Sequence, residues 1–129
     1  MIKINLLNVS NHKKQGFSAR LSQDVKAQVK EGQSFYKNLG NKSAEDFYNS
    51  QVDEVKKLAP SIIVETKNKG GSMINPYGED YIILSKKGKT FDCESLNEAD
   101  PFEKNLKKDS IKTLDGIVSL VENLKKFSK

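Results

Sequence analysis

A β-hairpin is predicted by residues 81–94, which read YIILSKKGKTFDCE. The apolar run Tyr81–Leu84 has the length and the β-branched content of a buried strand. Lys86–Lys89 carries a glycine among lysines and predicts a tight turn, after which residues 90–94 alternate as the partner strand. We take this hairpin as part of a sheet and extend the interpretation outward from it.

Upstream of the hairpin, a second buried strand is predicted over residues 61–66, followed by a basic, glycine-rich loop at residues 67–71. Residues 73–74 suit a short strand, and Asn75–Gly78 suits a turn. At the N-terminus, apolar and polar residues alternate, which predicts a hairpin formed by residues 2–9 and 16–21 around a basic loop.

Four helices are predicted from capping residues and apolar spacing. The first begins after Ser22 and ends at Gly40, and Gly32 within it suggests a kink or a close crossing with another helix. The second runs from Ser43 to Pro60, where the proline stops it. A short helix is predicted from Asp100 to about residue 107, and the last helix is predicted to start at residues 109–110.

The chain of 129 residues suits one domain over its whole length, 1–129. Strands and helices come in runs rather than in strict alternation. The predicted fold is therefore α+β, with a small, mostly antiparallel sheet packed by two helices from the N-terminal half and by a C-terminal helix.

The composition restricts the cellular compartment and the kinds of metal or cofactor site that we expect. No apolar run approaches the ~20 residues of a membrane span, and the N-terminus lacks the apolar stretch of a signal peptide, so we expect a cytoplasmic protein with no membrane partner. One cysteine and one histidine, Cys93 and His12, cannot build a Cys/His zinc site, and no metal or cofactor is expected. Cys93 reads as a small buried apolar residue whose acidic neighbours raise the pKa of its thiol.

The basic residues comprise 21 lysines and one arginine, Arg20. Base-specific reading of DNA relies on the rigid guanidinium fork of arginine, so this composition argues against it. Lysine, asparagine and isoleucine have AT-rich codons, and with 11 Asn and nine Ile the chain suits a low-GC source such as a phage or a mobile element.

The formal net charge of +5 lies in the first third of the chain, where residues 1–40 hold seven basic and two acidic side chains. A positive region of this kind attracts a negatively charged partner. Three of its lysines follow helical spacing, and Phe17, Phe35 and Tyr36 lie between the basic residues as candidate stacking groups. The candidate partner-binding residues are Lys13, Lys14, Arg20, Lys26, Lys30 and Lys37.

A weaker pattern suggests a Mg²⁺-dependent nuclease. Glu65 and Lys67 form an acid-x-Lys motif at a strand end, where the carboxylate would bind the metal and the lysine would orient water. Asp92 and Glu94, expected to face one way on a later strand, could supply further carboxylates. The order differs from the usual arrangement, which needs an acid on a preceding strand.

No assembled catalytic set is complete, so the chain is interpreted as a non-enzyme. The leading hypothesis is a small basic binding protein, an accessory or inhibitor that docks on a larger protein. The alternatives are a sequence-nonspecific nucleic-acid-binding protein, with DNA or RNA at the basic N-terminal third, and then the nuclease. A homodimer formed through a hairpin edge is a further partner hypothesis.

Overall fold

The computed structural model describes residues 20–58, 62–71, 73, 76–96 and 104–127. In chain order the elements within these ranges are β1 (Arg20–Leu21), α1 (Gln23–Leu39), α2 (Lys42–Lys57), β2 (Ile63–Lys69), β3 (Glu79–Lys86), β4 (Lys89–Asp92), a 3₁₀ helix (Lys108–Lys112) and α3 (Leu114–Phe127). The predicted strand at residues 2–9 and the first part of its partner lie outside these ranges.

The four strands form one mixed sheet in the order β1-β2-β3-β4. β2 and β3 pair antiparallel, with Val64 opposite Leu84, and β3 and β4 form the predicted hairpin around Lys87 and Gly88. β1 pairs parallel to β2, with Arg20 opposite Ile63. The α+β class and the mostly antiparallel sheet are thus confirmed, and the parallel β1 makes the sheet mixed.

β2 is longer than predicted. The segment expected to be a loop, residues 67–71, is strand as far as Lys69, because its residues pair with Glu79–Tyr81 of β3. Met73 is fully exposed and lies in no strand, contrary to expectation. Gly78 has φ 72 in the turn predicted there, and a Cβ at this position would overlap the backbone of Lys69.

Side chains capping the first two helices set where each begins. Ser22 Oγ accepts a hydrogen bond from the backbone N–H of Val25 at 3.4 Å, and α1 ends at Gly40, whose φ is 79, as predicted. α2 begins at Lys42 rather than at Ser43. Asn41 is the cap, because its Oδ1 accepts the backbone N–H of Ala44 at 3.2 Å.

α1 and α2 cross where Gly32 meets Tyr48, and a Cβ at position 32 would overlap the Tyr48 phenol ring. The Tyr48 hydroxyl is buried and donates to the backbone oxygen of Ile111 at 2.6 Å. The close crossing predicted from Gly32 is confirmed, and the 3₁₀ helix is tied to the same point.

The C-terminal third differs most from the prediction. Residues 104–107 are extended, not helical: Leu106 accepts the N–H of Ile82 and donates to the oxygen of Cys93, both at 2.9 Å. Backbone pairing with the sheet overrides the local helix signal. The last α-helix begins at Leu114 instead of at residues 109–110, since Thr113 Oγ1 accepts the N–H of Gly116 at 3.0 Å.

The helices and the strands bury a single apolar cluster between them. α3 is the most deeply buried of these helices: seven of its residues are buried, and its buried polar residues are Ser119 and Asn123. Among the residues described, no helix combines the length and the apolar character needed to cross a membrane.

Candidate interaction surface

Two large apolar side chains are exposed on one side of α1. Phe35 and Leu39 are each 57% exposed and lie four residues apart, which places them one above the other on the helix. The adjoining side of the same helix packs Val25, Val29 and Tyr36 into the core. We call Phe35 and Leu39, with the groove described next, the α1 surface.

A groove of about 660 Å³ adjoins Phe35 between α1 and the end of the 3₁₀ helix. Lys30 and Glu31 line it from α1, and Lys112 and Thr113 line it from the 3₁₀ side. The Phe35 ring stands edge-on to Tyr36, with ring centroids 5.0 Å apart, and the Tyr36 hydroxyl accepts the N–H of Leu114 at 3.0 Å. The exposed Phe35 ring therefore packs against Tyr36, whose position is fixed by its hydrogen bond to Leu114.

The predicted lysines on the first helix lie where the spacing placed them. Lys26, Lys30 and Lys37 are exposed and share one side of α1, separated by one turn and then by two turns. Arg20 is exposed in β1, at the edge of the sheet. Lys13 and Lys14 lie outside the described residues.

The positive charge is less concentrated than the N-terminal third suggested. Residues 20–40 hold four basic and two acidic side chains, so most of that surplus belongs to residues before Arg20. The most basic described segment is residues 104–127, with six lysines and three acidic residues. Lys112 comes from this segment and was missed, because no sequence spacing relates it to Lys30.

The structure brings together part of the acidic set. Glu65 and Asp92 both lie beside Ile83 in one row across β2, β3 and β4, and Glu65 accepts a hydrogen bond from the Ser85 hydroxyl at 2.6 Å. Asp92 pairs with Lys69 at 3.5 Å. Lys67 is exposed on the same strand as Glu65.

Glu94 does not join this row. It follows the end of β4, and its carboxylate pairs with Lys126 of α3 at 3.6 Å. Asp92 and Glu94 therefore pair with different elements, the first with a strand lysine and the second with a helix lysine. Within the ranges described, no three His, Cys, Asp or Glu side chains are grouped so as to hold a metal ion.

Two buried titratable groups are poor nucleophiles at neutral pH. Cys93 is buried in the core as predicted; burial raises the pKa of its thiol to about 12, and the charge of Asp92 adds a smaller effect in the same direction. Burial likewise raises the pKa of the Tyr48 phenol, with a further contribution from Tyr36. Both residues serve packing.

Compared with known proteins, the chain matches no family model, no curated protein and no solved structure. The function is therefore inferred from the geometry of the described residues.

Proposed function

We propose that this chain is a small basic binding protein that docks on a larger protein through the α1 surface, as an accessory or an inhibitor. The observation that carries the proposal is the pair Phe35 and Leu39, each more than half exposed beside the face of α1 that is packed into the core. Aromatic anchors with a polar rim are typical of the centre of protein interfaces.

The charges around this surface favour a protein partner over a nucleic acid. The two elements that form it, α1 and the 3₁₀ helix, together hold five basic and three acidic side chains, which is a small surplus. Binding to a phosphate backbone depends on a clear local excess of positive charge. Leu39 is aliphatic and offers no ring on which a base could stack.

Nonspecific binding of single-stranded nucleic acid is the second candidate, and one observation supports it. Phe35 is exposed in a groove that Lys30 and Lys112 also line, and an aromatic ring beside cations suits base stacking with phosphate contact. The two candidates share Phe35 and differ in their dependence on Lys30, Lys112 and salt.

The partner is proposed to be a cytoplasmic protein, because a chain with a single cysteine, buried in the core, suits a reducing compartment. The lysine-rich, arginine-poor composition supports a phage or a mobile element as the source. In that setting, blocking a host protein is the kind of inhibition we propose.

The test is a tagged capture from a lysate of the source, with and without nuclease, followed by affinity measurement on the purified partner. The double variant Phe35→Ser/Leu39→Ser should lose at least tenfold in affinity, because truncating a central anchor costs about 2 kcal/mol. Phe47→Ser is the matched control, since Phe47 is 44% exposed on the neighbouring helix α2. It should bind as the unmodified chain does.

Two results would overturn the proposal. Loss of every captured protein after nuclease treatment, with a steep fall of affinity for single-stranded RNA as salt rises, would assign the surface to nucleic acid. Equal binding by the double variant and the Phe47 control would remove the α1 surface from the interface.

A further inference from the structure

Among the residues described, strand β4 lies at one end of the sheet, and some of its backbone N–H and C=O groups have no strand partner. The two-residue turn at Lys87 and Gly88 makes the pairs 86–89 and 84–91 the hydrogen-bonded ones, and the bond from Cys93 N–H to the Ile82 oxygen, at 3.2 Å, continues this alternation. The N–H and C=O groups of Thr90 and Asp92 therefore point away from β3. No strand within the described ranges pairs with them.

Beyond β4 the same edge is covered by side chains of α3. Asn123 Oδ1 accepts the N–H of Glu94 at 2.9 Å, and Asn123 Nδ2 donates to the Glu94 oxygen at 2.8 Å. Ser119 Oγ accepts the N–H of Leu96 at 3.0 Å. These contacts occupy the positions that a further strand would take, and they stop short of Asp92, so the open edge is limited to β4.

The two ends of β4 carry side chains of opposite charge. Lys87 lies in the hairpin turn and Lys89 follows it, whereas Asp92 closes the strand. Between them, Phe91 is 47% exposed although its ring contacts Phe127, with ring centroids 4.2 Å apart. An antiparallel copy of this strand would bring each basic end beside an acidic end.

We propose that this open edge pairs with β4 of a second copy of the chain, antiparallel and about a two-fold axis that passes beside Thr90. Thr90 of each copy donates to and accepts from Thr90 of the other. Lys89 then lies opposite Phe91 of the second copy, where its aliphatic stem covers the exposed ring and its ammonium group contacts the aromatic face. Asp92 lies next to the turn that carries Lys87 of the second copy.

The α3 side chains that cover the edge beyond β4 favour this register over the others. Outward-pointing residues pair only with outward-pointing residues, so the registers differ by steps of two. One step places Thr90 opposite Asp92 and brings the turn of the second copy against Glu94, where Asn123 already lies. Another step places the two Asp92 side chains opposite each other, which like charge disfavours. A parallel pairing brings the lysine-bearing turns of the two copies to the same end, which like charge also disfavours.

The test is sedimentation velocity and light scattering of the full chain, over a range from about 1 μM to about 1 mM, since a short edge predicts a weak dimer. Thr90→Pro removes the outward N–H without removing a bond to β3, and we expect at least a tenfold rise in the dimer dissociation constant. Thr90→Val is the matched control, because it keeps the backbone N–H, and it should dimerise as the unmodified chain does.

A second variant covers the case in which proline disturbs the hairpin, which circular dichroism would reveal. Phe91→Lys places two lysines opposite each other across the proposed interface and should weaken the dimer by a similar factor. A chain that is monomeric at the highest concentration overturns the proposal. So does a dimer that Thr90→Pro and Phe91→Lys both leave intact while each remains folded. The docking proposal for α1 is independent of either result.

Discussion

At the scale of single residues, two glycines set how closely elements approach. Gly32 lets α1 cross over the Tyr48 ring, and a Cβ at Gly116 would overlap the backbone of Ser110 in the 3₁₀ helix. Glycine within a helix costs about 1 kcal/mol relative to alanine. Both positions lie inside α-helices, so close packing is the physical reason for glycine there.

The variant Gly32→Ala tests this directly. In an open helix the change would stabilise by about 1 kcal/mol, whereas here we expect a net loss of ~1–3 kcal/mol, because the Tyr48 ring is held by its bond to Ile111. Urea unfolding measures the difference, and Ser34→Ala, at an exposed position on the same helix, is the control. A midpoint at or above that of the unmodified chain would contradict the close crossing.

At the scale of elements, the Asn123 side chain attaches the segment after β4 to α3. It makes the backbone hydrogen bonds that a neighbouring strand would make. The Asn123 amide exchanges hydrogen bonds with both backbone groups of Glu94 and also donates to the Ser119 oxygen at 2.7 Å. The side chain is buried, so loss of the amide would leave these backbone groups without a partner.

We therefore expect Asn123→Ala to reduce the free energy of unfolding by ~1–3 kcal/mol, despite the better helix propensity of alanine. Hydrogen exchange should show faster exchange of the Glu94 amide in this variant. Asn38→Ala, an exposed position on α1, serves as the control and should be neutral or slightly stabilising. Unchanged exchange at Glu94 would show that Asn123 does not hold the segment.

At the scale of the whole molecule, a polar cluster joins the sheet to the 3₁₀ helix. Asp80 of β3 accepts a hydrogen bond from the Asn68 amide at 2.8 Å and pairs with Lys108 at 3.0 Å. The Asn68 amide and then the Lys108 ammonium lower the pKa of Asp80. The bond to Asp80 in turn raises the pKa of Lys108.

This arrangement predicts how stability depends on pH. A carboxyl group whose pKa is lowered on folding stabilises the protein above its unfolded pKa, near the ordinary value of 3.8, and that contribution is lost as the pH falls through the lowered pKa. At pH 7 the thermal unfolding midpoint of Asp80→Asn should lie below that of the unmodified chain, and this difference should disappear in acid. Asp53→Asn, at an exposed site on α2, should have the midpoint of the unmodified chain at both pH values.

Some features of the proposed sites follow from the local sequence pattern, and others depend on long-range contacts. Helical spacing predicted Lys26, Lys30 and Lys37 on one side of α1, because a single element fixes that relation. The sequence pattern could not show that Phe35 stays exposed while Tyr36 is buried, or that Lys112 joins its groove. Those facts depend on where the 3₁₀ helix packs.

Local chemistry by itself determined the α+β class, the caps at Ser22 and Gly40, the hairpin at Lys87–Gly88 and the burial of Cys93. Only the tertiary structure decided that residues 104–107 are extended. Leu106 exchanges backbone bonds with Ile82 and Cys93, and these contacts from distant parts of the chain outweigh a helix signal that spans only a few residues. Propensities act over one turn or one strand, whereas an open sheet edge is filled by whichever segment the fold brings beside it.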